Sequence, residues 1–232
     1  ISLEKAEPEI SEYDLCAVEA GMQLVEAAGG KLSALSVGPK ILENSKLKKG
    51  ILSRGPQELF LVVDETLENA ETHKTATTLA NALKKIGDFD LVICGEGSAD
   101  LYAQQVGAQL GQILNLPVIN SVSKIEVEGN NLLVERTLED EVEILEIPLP
   151  AVISVTTDIN LPRIPSMKEI LAAGKKPVTQ WSMADLAAEG TEPSLDIIKT
   201  LAPEQAERKQ IILEGDSEES VAKFFENIRR EL

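Results

Sequence analysis

The sequence predicts an α/β fold of Rossmann-like type: a parallel sheet with helices on both faces, continued by an antiparallel β-meander and a C-terminal extension. Three observations predict it. Short apolar runs, Leu59 to Val63 and Phe89 to Cys94, have the length and aliphatic content of strands covered on both faces. Apolar residues at helical spacing, such as Leu79, Ala82, Leu83 and Ile86, fill the intervals between such runs. The connections are short and punctuated by glycine or proline, as strand-helix crossovers require.

Each element follows from its residues. Ser11 and Glu12 sit where a cap and a first-turn acid belong, ahead of a helix carrying Leu15, Val18, Ala20, Met22 and Leu24 that stops at Gly29-Gly30. Leu32 to Val37 reads as a strand ended by Gly38-Pro39, and Ile41 to Ser53 as a lysine-rich helix ended by Arg54-Gly55-Pro56. Thr75 to Ile86 is helical, Phe89 to Cys94 a strand, Asp100 to Leu114 a helix with Asp100 as its candidate cap, and Leu116 to Val122 a strand. Residues 123–147 change texture: Ile125 to Glu128, Leu132 to Leu138 and Val142 to Ile144 form a meander with acids on its wet face. Leu149 to Val155 returns to the core, and two prolines extend Asn160 to Pro165 before Ser166 caps a short helix, Met167 to Ala173.

This body, residues 1–186, is followed by residues 187–232, read as an acidic linker and an arm. Within the arm Lys209 to Leu213 suggests a strand, and Ser217 to Leu232 a helix with Val221, Phe224, Phe225 and Ile228 on one face. Such a tail docks either on its own body or on a partner subunit.

The 232 residues include 22 Lys and Arg against 39 Asp and Glu, a net charge of −17. That field repels phosphate backbones and anionic lipid heads, which excludes generic nucleic-acid binding and a membrane-surface role. A single nucleotide stays possible, because backbone N–H groups at a helix start hold a phosphate against an unfavourable global field. Two cysteines without CxxC spacing and one histidine, His73, point to neither a disulfide framework, nor a zinc site, nor histidine-based catalysis. No run approaches the ~20 apolar residues of a bilayer span, and no leader pattern opens the chain, so a reduced, cytoplasmic protein is expected.

The best candidate site is the turn from Cys94-Gly95 through Asp100, Ala103, Gln104, Gln105, Val106 and Gly107. Glycines let the chain turn at a strand's carboxyl end, where ligands of such sheets bind, and the glutamines and first-turn N–H groups can donate to a phosphate. It is neither GxGxxG nor a P-loop, and an ordinary tight connection accounts for it equally well. Ser36 and Gly38 end another strand and offer a second wall, although read alone they make a plain turn. Cys94 reads as a small core residue. Asp64 and Asp158 lie at strand ends like catalytic acids but have no nameable base. The acidic run Glu139 to Glu146 alternates across a strand, unlike a calcium loop. Arg163, Pro165, Met167, Lys168, Ile170 and Leu171 form a proline-stiffened segment with an adaptable Met and lysines in an acidic chain, which fits protein docking; packing on its own domain is the simpler reading of those residues alone.

Several segments together resemble the beta subunit of electron-transfer flavoproteins: SEYDLCAVEA from Ser11 to Ala20, Leu35 to Pro39, Cys94 to Leu110 with its AQQVG, VSKI from Val122, VER from Val134, LPAV from Leu149, and DINLPRIPSMKEILAAGKKPV from Asp158 to Val178. DLYAQQVG and RIPSMK look closest to the bacterial branch associated with carnitine and acyl-CoA metabolism. The resemblance implies an adenine-nucleotide-binding type of fold and a heterodimer in which an alpha subunit holds most of an FAD. It also implies AMP or a second FAD in the beta subunit, against Ser11, Tyr13, Ser36, Gly38 and the segment from Asp100 to Gly107. The family's docking loop for acyl-CoA dehydrogenases matches Pro165 to Leu171 within residues 160–176, with Met167 where a leucine anchor is usual. Members begin with a strand ahead of the first helix, a segment without a counterpart here, and Ser11, Leu101-Tyr102 and Gln104 depart from the usual pattern.

The expected function is therefore electron transfer through flavin, without acid, base or nucleophile from this chain. A stand-alone adenine-nucleotide hydrolase and a ligand-binding scaffold on the same fold are the alternatives.

Overall fold

The computed structural model describes residues 6–186 and 209–230, with Leu195, Ile198, Lys199, Leu201, Ala202 and Glu204 between them. The chain divides into two compact units, the body and a C-terminal unit beginning near residue 197, and each is described by itself. The expected boundary at 186/187 and most of the expected linker lie outside the described residues.

In the body the order is α1 (Glu12–Ala28), β1 (Ser33–Gly38), α2 (Ser45–Leu52), β2 (Glu58–Val63), α3 (Thr72–Ile86), β3 (Leu91–Gly95), α4 (Val106–Leu114), β4 (Val118–Glu128), β5 (Asn131–Thr137), β6 (Val142–Pro148), β7 (Ala151–Val155), α5 (Met167–Ala173) and β8 (Val178–Trp181). The α/β class and the meander are as expected, but the strands make two sheets rather than one. One is parallel, β1-β2-β8; the other is β3-β7-β4-β5-β6, parallel from β3 to β4 and antiparallel beyond. Backbone pairing does not join β1 to β3; helices do. Leu35 of β1 and Val92 and Cys94 of β3 pack into one cluster with Ala76, Ala80 and Leu83 of α3. On α1, a Cβ at Gly21 would meet Leu32 at 2.7 Å and Ile93 at 3.7 Å.

β7 is the centre of the second sheet, and all five of its residues are buried, as its unbroken apolar run predicts. α4 lies against it closely enough that a side chain at Gly107 would collide with Ser154. β4 serves both halves of its sheet by bending at Ser121 (φ 57°) and shifting register between Val122 and Lys124.

Three expectations are corrected. The helix expected over 41–53 is interrupted: a 3-10 turn at Lys40–Glu43 precedes α2, because Asn44 leaves the helical region and its side chain caps the Lys46 N–H at 2.8 Å. The helix expected from Asp100 starts only at Val106. In the C-terminal unit, Lys209 to Leu213 does not take strand geometry, and Ile211 and Ile212 are exposed rather than covered as a core strand would have them. α6 (Glu218–Arg229) does form, capped by Ser217 Oγ accepting from the Ser220 N–H, and exposes Val221, Phe224, Phe225 and Ile228.

β8, which the sequence does not announce, is delivered by a pin. Lys176 Nζ donates to the carbonyls of Leu52, Gly55 and Pro56 at 2.7, 3.2 and 2.7 Å, and desolvation lowers its pKa. Lys176→Met leaves three carbonyls without this donor and is expected to cost about 2 kcal/mol. A shift of the urea midpoint at constant slope checks this; an unmoved midpoint contradicts it.

Candidate functional site

The site lies at the carboxyl end of β3. α1 starts there: Tyr13 is so close to Gly95 that an added Cβ would sit 2.8 Å from its backbone carbonyl carbon. Ser11 is the N-cap residue of α1, yet its side chain makes no cap bond and its buried Oγ has no partner. The Gly95 N–H donates to the carboxylate of Asp14, an exposed residue in the first turn of α1. Cys94 is not a reactive thiol: desolvation, with the charge of Asp14 second, pushes it up to about 12.

Beyond Gly95 the chain forms a loop, not a helix start. Its hub is Glu96, whose carboxylate accepts from Tyr102 Oη at 2.7 Å and Ser121 Oγ at 2.9 Å. The Tyr102 ring lies 5.2 Å from that of Tyr13, and hydrogen bonding to Glu96 raises the Tyr102 pKa. Tyr102 and Gln104 both take left-handed backbone angles, φ 47° and 56°, which delays α4 to Val106. Asp100 therefore caps no helix; its carboxylate accepts from the Leu101 N–H at 2.7 Å, and its pKa is lowered chiefly by Ser98. Ala103, Gln104 and Gln105 are exposed, Gln105 Oε1 accepts from Thr72 Oγ1 at 2.8 Å, and no side chain caps the first N–H groups of α4, beside Val106 and Gly107.

The structure thus brings Tyr13, Gly95 and Tyr102 together, next to Ser11, Cys94 and the start of α4. Ser36 and Gly38 end β1 in the other sheet, where Gly38 faces Leu42 and its carbonyl accepts from the Asp64 N–H at 3.1 Å. Asp14 and Glu96 lie inside segments the sequence marks but are not singled out by it; the glycines on both sides of Glu96 are the one signal that points to it. Asp64 is a local cap, accepting from Thr66 and from the Met183 N–H, and Asp158 is held by Thr156. Among the described residues no group of His, Cys, Asp and Glu could hold a metal.

The second candidate region is the 160–176 segment. A capping box starts α5, with Ser166 N donating to Glu169 Oε2 at 2.6 Å and Glu169 N to Ser166 Oγ at 3.4 Å. Met167 and Leu171 are each 71% exposed, Lys168 is exposed, and Pro165 and Ile170 are half-buried. Leu161 and Ile164, not singled out by sequence, are more than nine-tenths exposed. Arg163 instead turns inward: Nε and Nη2 donate to Glu19 at 2.7 and 3.0 Å, and Nη1 and Nη2 to Glu26 at 2.8 and 3.2 Å.

The family model for the electron transfer flavoprotein domain matches residues 1–186. The chain belongs to the electron transfer flavoprotein family. That match covers both regions just described, the end of β3 and the α5 segment, and family membership brings flavin and redox partners into the reading of both. No helix among the described residues of this electron transfer flavoprotein chain is long and apolar enough to cross a membrane.

Proposed function

We propose that the chain is the beta subunit of a heterodimeric electron transfer flavoprotein of the bacterial branch associated with carnitine and acyl-CoA metabolism, acting in the cytoplasm. It holds a nucleotide, AMP or a second FAD, at the end of β3, and forms one wall for an FAD held mainly by an alpha subunit. It helps pass electrons between an acyl-CoA dehydrogenase and another redox partner. The observation that carries this reading is the convergence of the α1 start, Gly95 and the uncapped start of α4, with Ser11 Oγ buried and unpartnered beside them.

That donor set fits a nucleotide. Gly95 lets the start of α1 close on the end of β3 and Gly107 lets α4 lie against β7, which brings the walls together; the α4 N–H groups and Ser11 can donate to phosphate or ribose oxygens, and Tyr13 with Tyr102 offers an aromatic face. Glu96 and Asp100 place negative charge at the same mouth, so a phosphate there is held by aimed N–H groups rather than by the local field. Flavin, when bound, supplies the one- and two-electron chemistry. This chain's own residues hold the nucleotide, shape the flavin's surroundings and present the α5 segment to the partner, while the apolar face of α6 docks on the alpha subunit.

Denaturing the assembled pair and identifying released nucleotides by mass tests the site: one FAD with one AMP, or two FAD, is expected. One FAD alone would remove the nucleotide from this subunit. Met167→Ala is expected to raise the KM of an acyl-CoA dehydrogenase for the flavoprotein about tenfold at unchanged flavin content, as loss of an exposed anchor does. An unaltered KM counts against the docking role.

A further inference from the structure

We propose that Arg163 is a positioning residue: fastened to α1 through Glu19 and Glu26, it turns residues 160–164 so that their apolar side chains face outward for the redox partner. The proposal rests on the docking role given above to this segment and assigns Arg163 no contact with the partner.

The segment is held along one face of α1 at successive turns. Asn160 Nδ2 donates to the Cys16 carbonyl at 3.0 Å. The Arg163 backbone N–H donates to Glu19 Oε2 at 3.1 Å, and its guanidinium forks between Glu19 and Glu26 with four further hydrogen bonds. Gln23 Nε2 fixes Glu19 from the next turn at 3.1 Å. Between and beside these anchors stand Leu161, 92% exposed, and Ile164, 93% exposed. Asn160 and Arg163 point in while Leu161 and Ile164 point out, and Pro162 and Pro165 stiffen the backbone that carries the alternation. Exposed aliphatic side chains on a free segment would fold back onto the protein. Two inward polar anchors, one of them bonded to two carboxylates at once, oppose that collapse. A lysine at this position is a point charge without the fork geometry and cannot fix both carboxylates with the same orientation.

The test uses the assembled flavoprotein with an acyl-CoA dehydrogenase and its acyl-CoA. Arg163→Lys keeps the charge. The pair Glu19→Gln with Arg163→Met removes both ends, so that Glu19 is not left charged and unpaired and folding is preserved. The pair is expected to raise the KM for the flavoprotein about tenfold, with kcat and flavin content within about twofold of the parent, and Arg163→Lys to give a smaller rise. Because Arg163 acts through Leu161 and Ile164, adding Leu161→Ala with Ile164→Ala to the pair is expected to raise KM much less than the product of the separate effects. Unchanged KM in the pair, fully multiplied losses, or a matching fall in flavin content and kcat overturns the positioning role. If the Arg163 variants alone leave KM unmoved, only this proposal fails. If Met167→Ala and Leu161→Ala with Ile164→Ala leave it unmoved, the docking reading fails and takes the proposal with it.

Discussion

Arg163→Met alone is expected to lower the unfolding free energy by about 3 kcal/mol at neutral pH, because it strands a buried carboxylate. Only 7% of the Glu19 side chain is accessible, and Arg163 supplies its countercharge through Nε and Nη2. The figure lies at the low end of the usual cost because Arg163 is itself 31% accessible and water supplies part of what is lost. The pH dependence follows with a definite sign. In the parent, burial acts to raise the Glu19 pKa, but hydrogen bonds from Arg163 and Gln23 outweigh it and hold the carboxyl below its ordinary value. Glu26 is lowered too, chiefly by its hydrogen bond to Arg163. A folded pKa below the unfolded one contributes stability that is present above the ordinary carboxylate range and lost as pH falls through the folded values. In the variant, Glu19 keeps the burial without the guanidinium, so its pKa moves the other way and its deficit shrinks once acid neutralises it. Urea unfolding at pH 7 and pH 4 should therefore show the two proteins converging toward low pH. A constant gap between them would contradict the assignment.

Gly111→Val is expected to cost a similar amount, about 3 kcal/mol, for a steric reason. A Cβ at Gly111 would collide with Val118 Cγ2 and sit 3.3 and 3.4 Å from the Cβ atoms of Val118 and Val152. The contacts belong to β4 and β7, so neither neighbour is a flexible surface tip. Helix propensity acts in the opposite direction, since replacing glycine inside a helix gains up to about 1 kcal/mol. Overpacking of about 1–3 kcal/mol exceeds that gain for Ala, and the two further methyls of Val carry it to the upper end. Denaturant unfolding of the Ala and Val variants separates the contributions: Val should lose clearly more than Ala. Equal or increased stability in both would mean that α4 can lift off the sheet without penalty.

The elements that local pattern sets were readable in advance. The run from Leu149 to Val155 contains the fully buried β7, and Ser166 with Glu169 three residues on marks the capping box of α5. The candidate site was readable in place but not in shape. Asp100 to Gln105 carries a pattern compatible with a helix, yet Tyr102 is drawn to Glu96 and Tyr13, and the backbone at Tyr102 and Gln104 turns left-handed. Asp100 loses its expected role as a cap for the same reason. Arg163 likewise reads as a surface cation among docking residues until Glu19, 144 positions away in sequence, turns it inward.

The chain by itself determined the alternation of strands and helices, the meander, the acidic surface and the motifs that mark its family, because apolar periodicity, caps and turn residues act over a few positions. Tertiary structure alone decided that the parallel strands divide into two sheets held by α1 and α3, that the loop after β3 closes on Glu96, and that Arg163 faces inward while Leu161 and Ile164 face out. These outcomes depend on backbone pairing, ion pairs and contacts between residues far apart in the chain, whose energies exist only once the elements have packed.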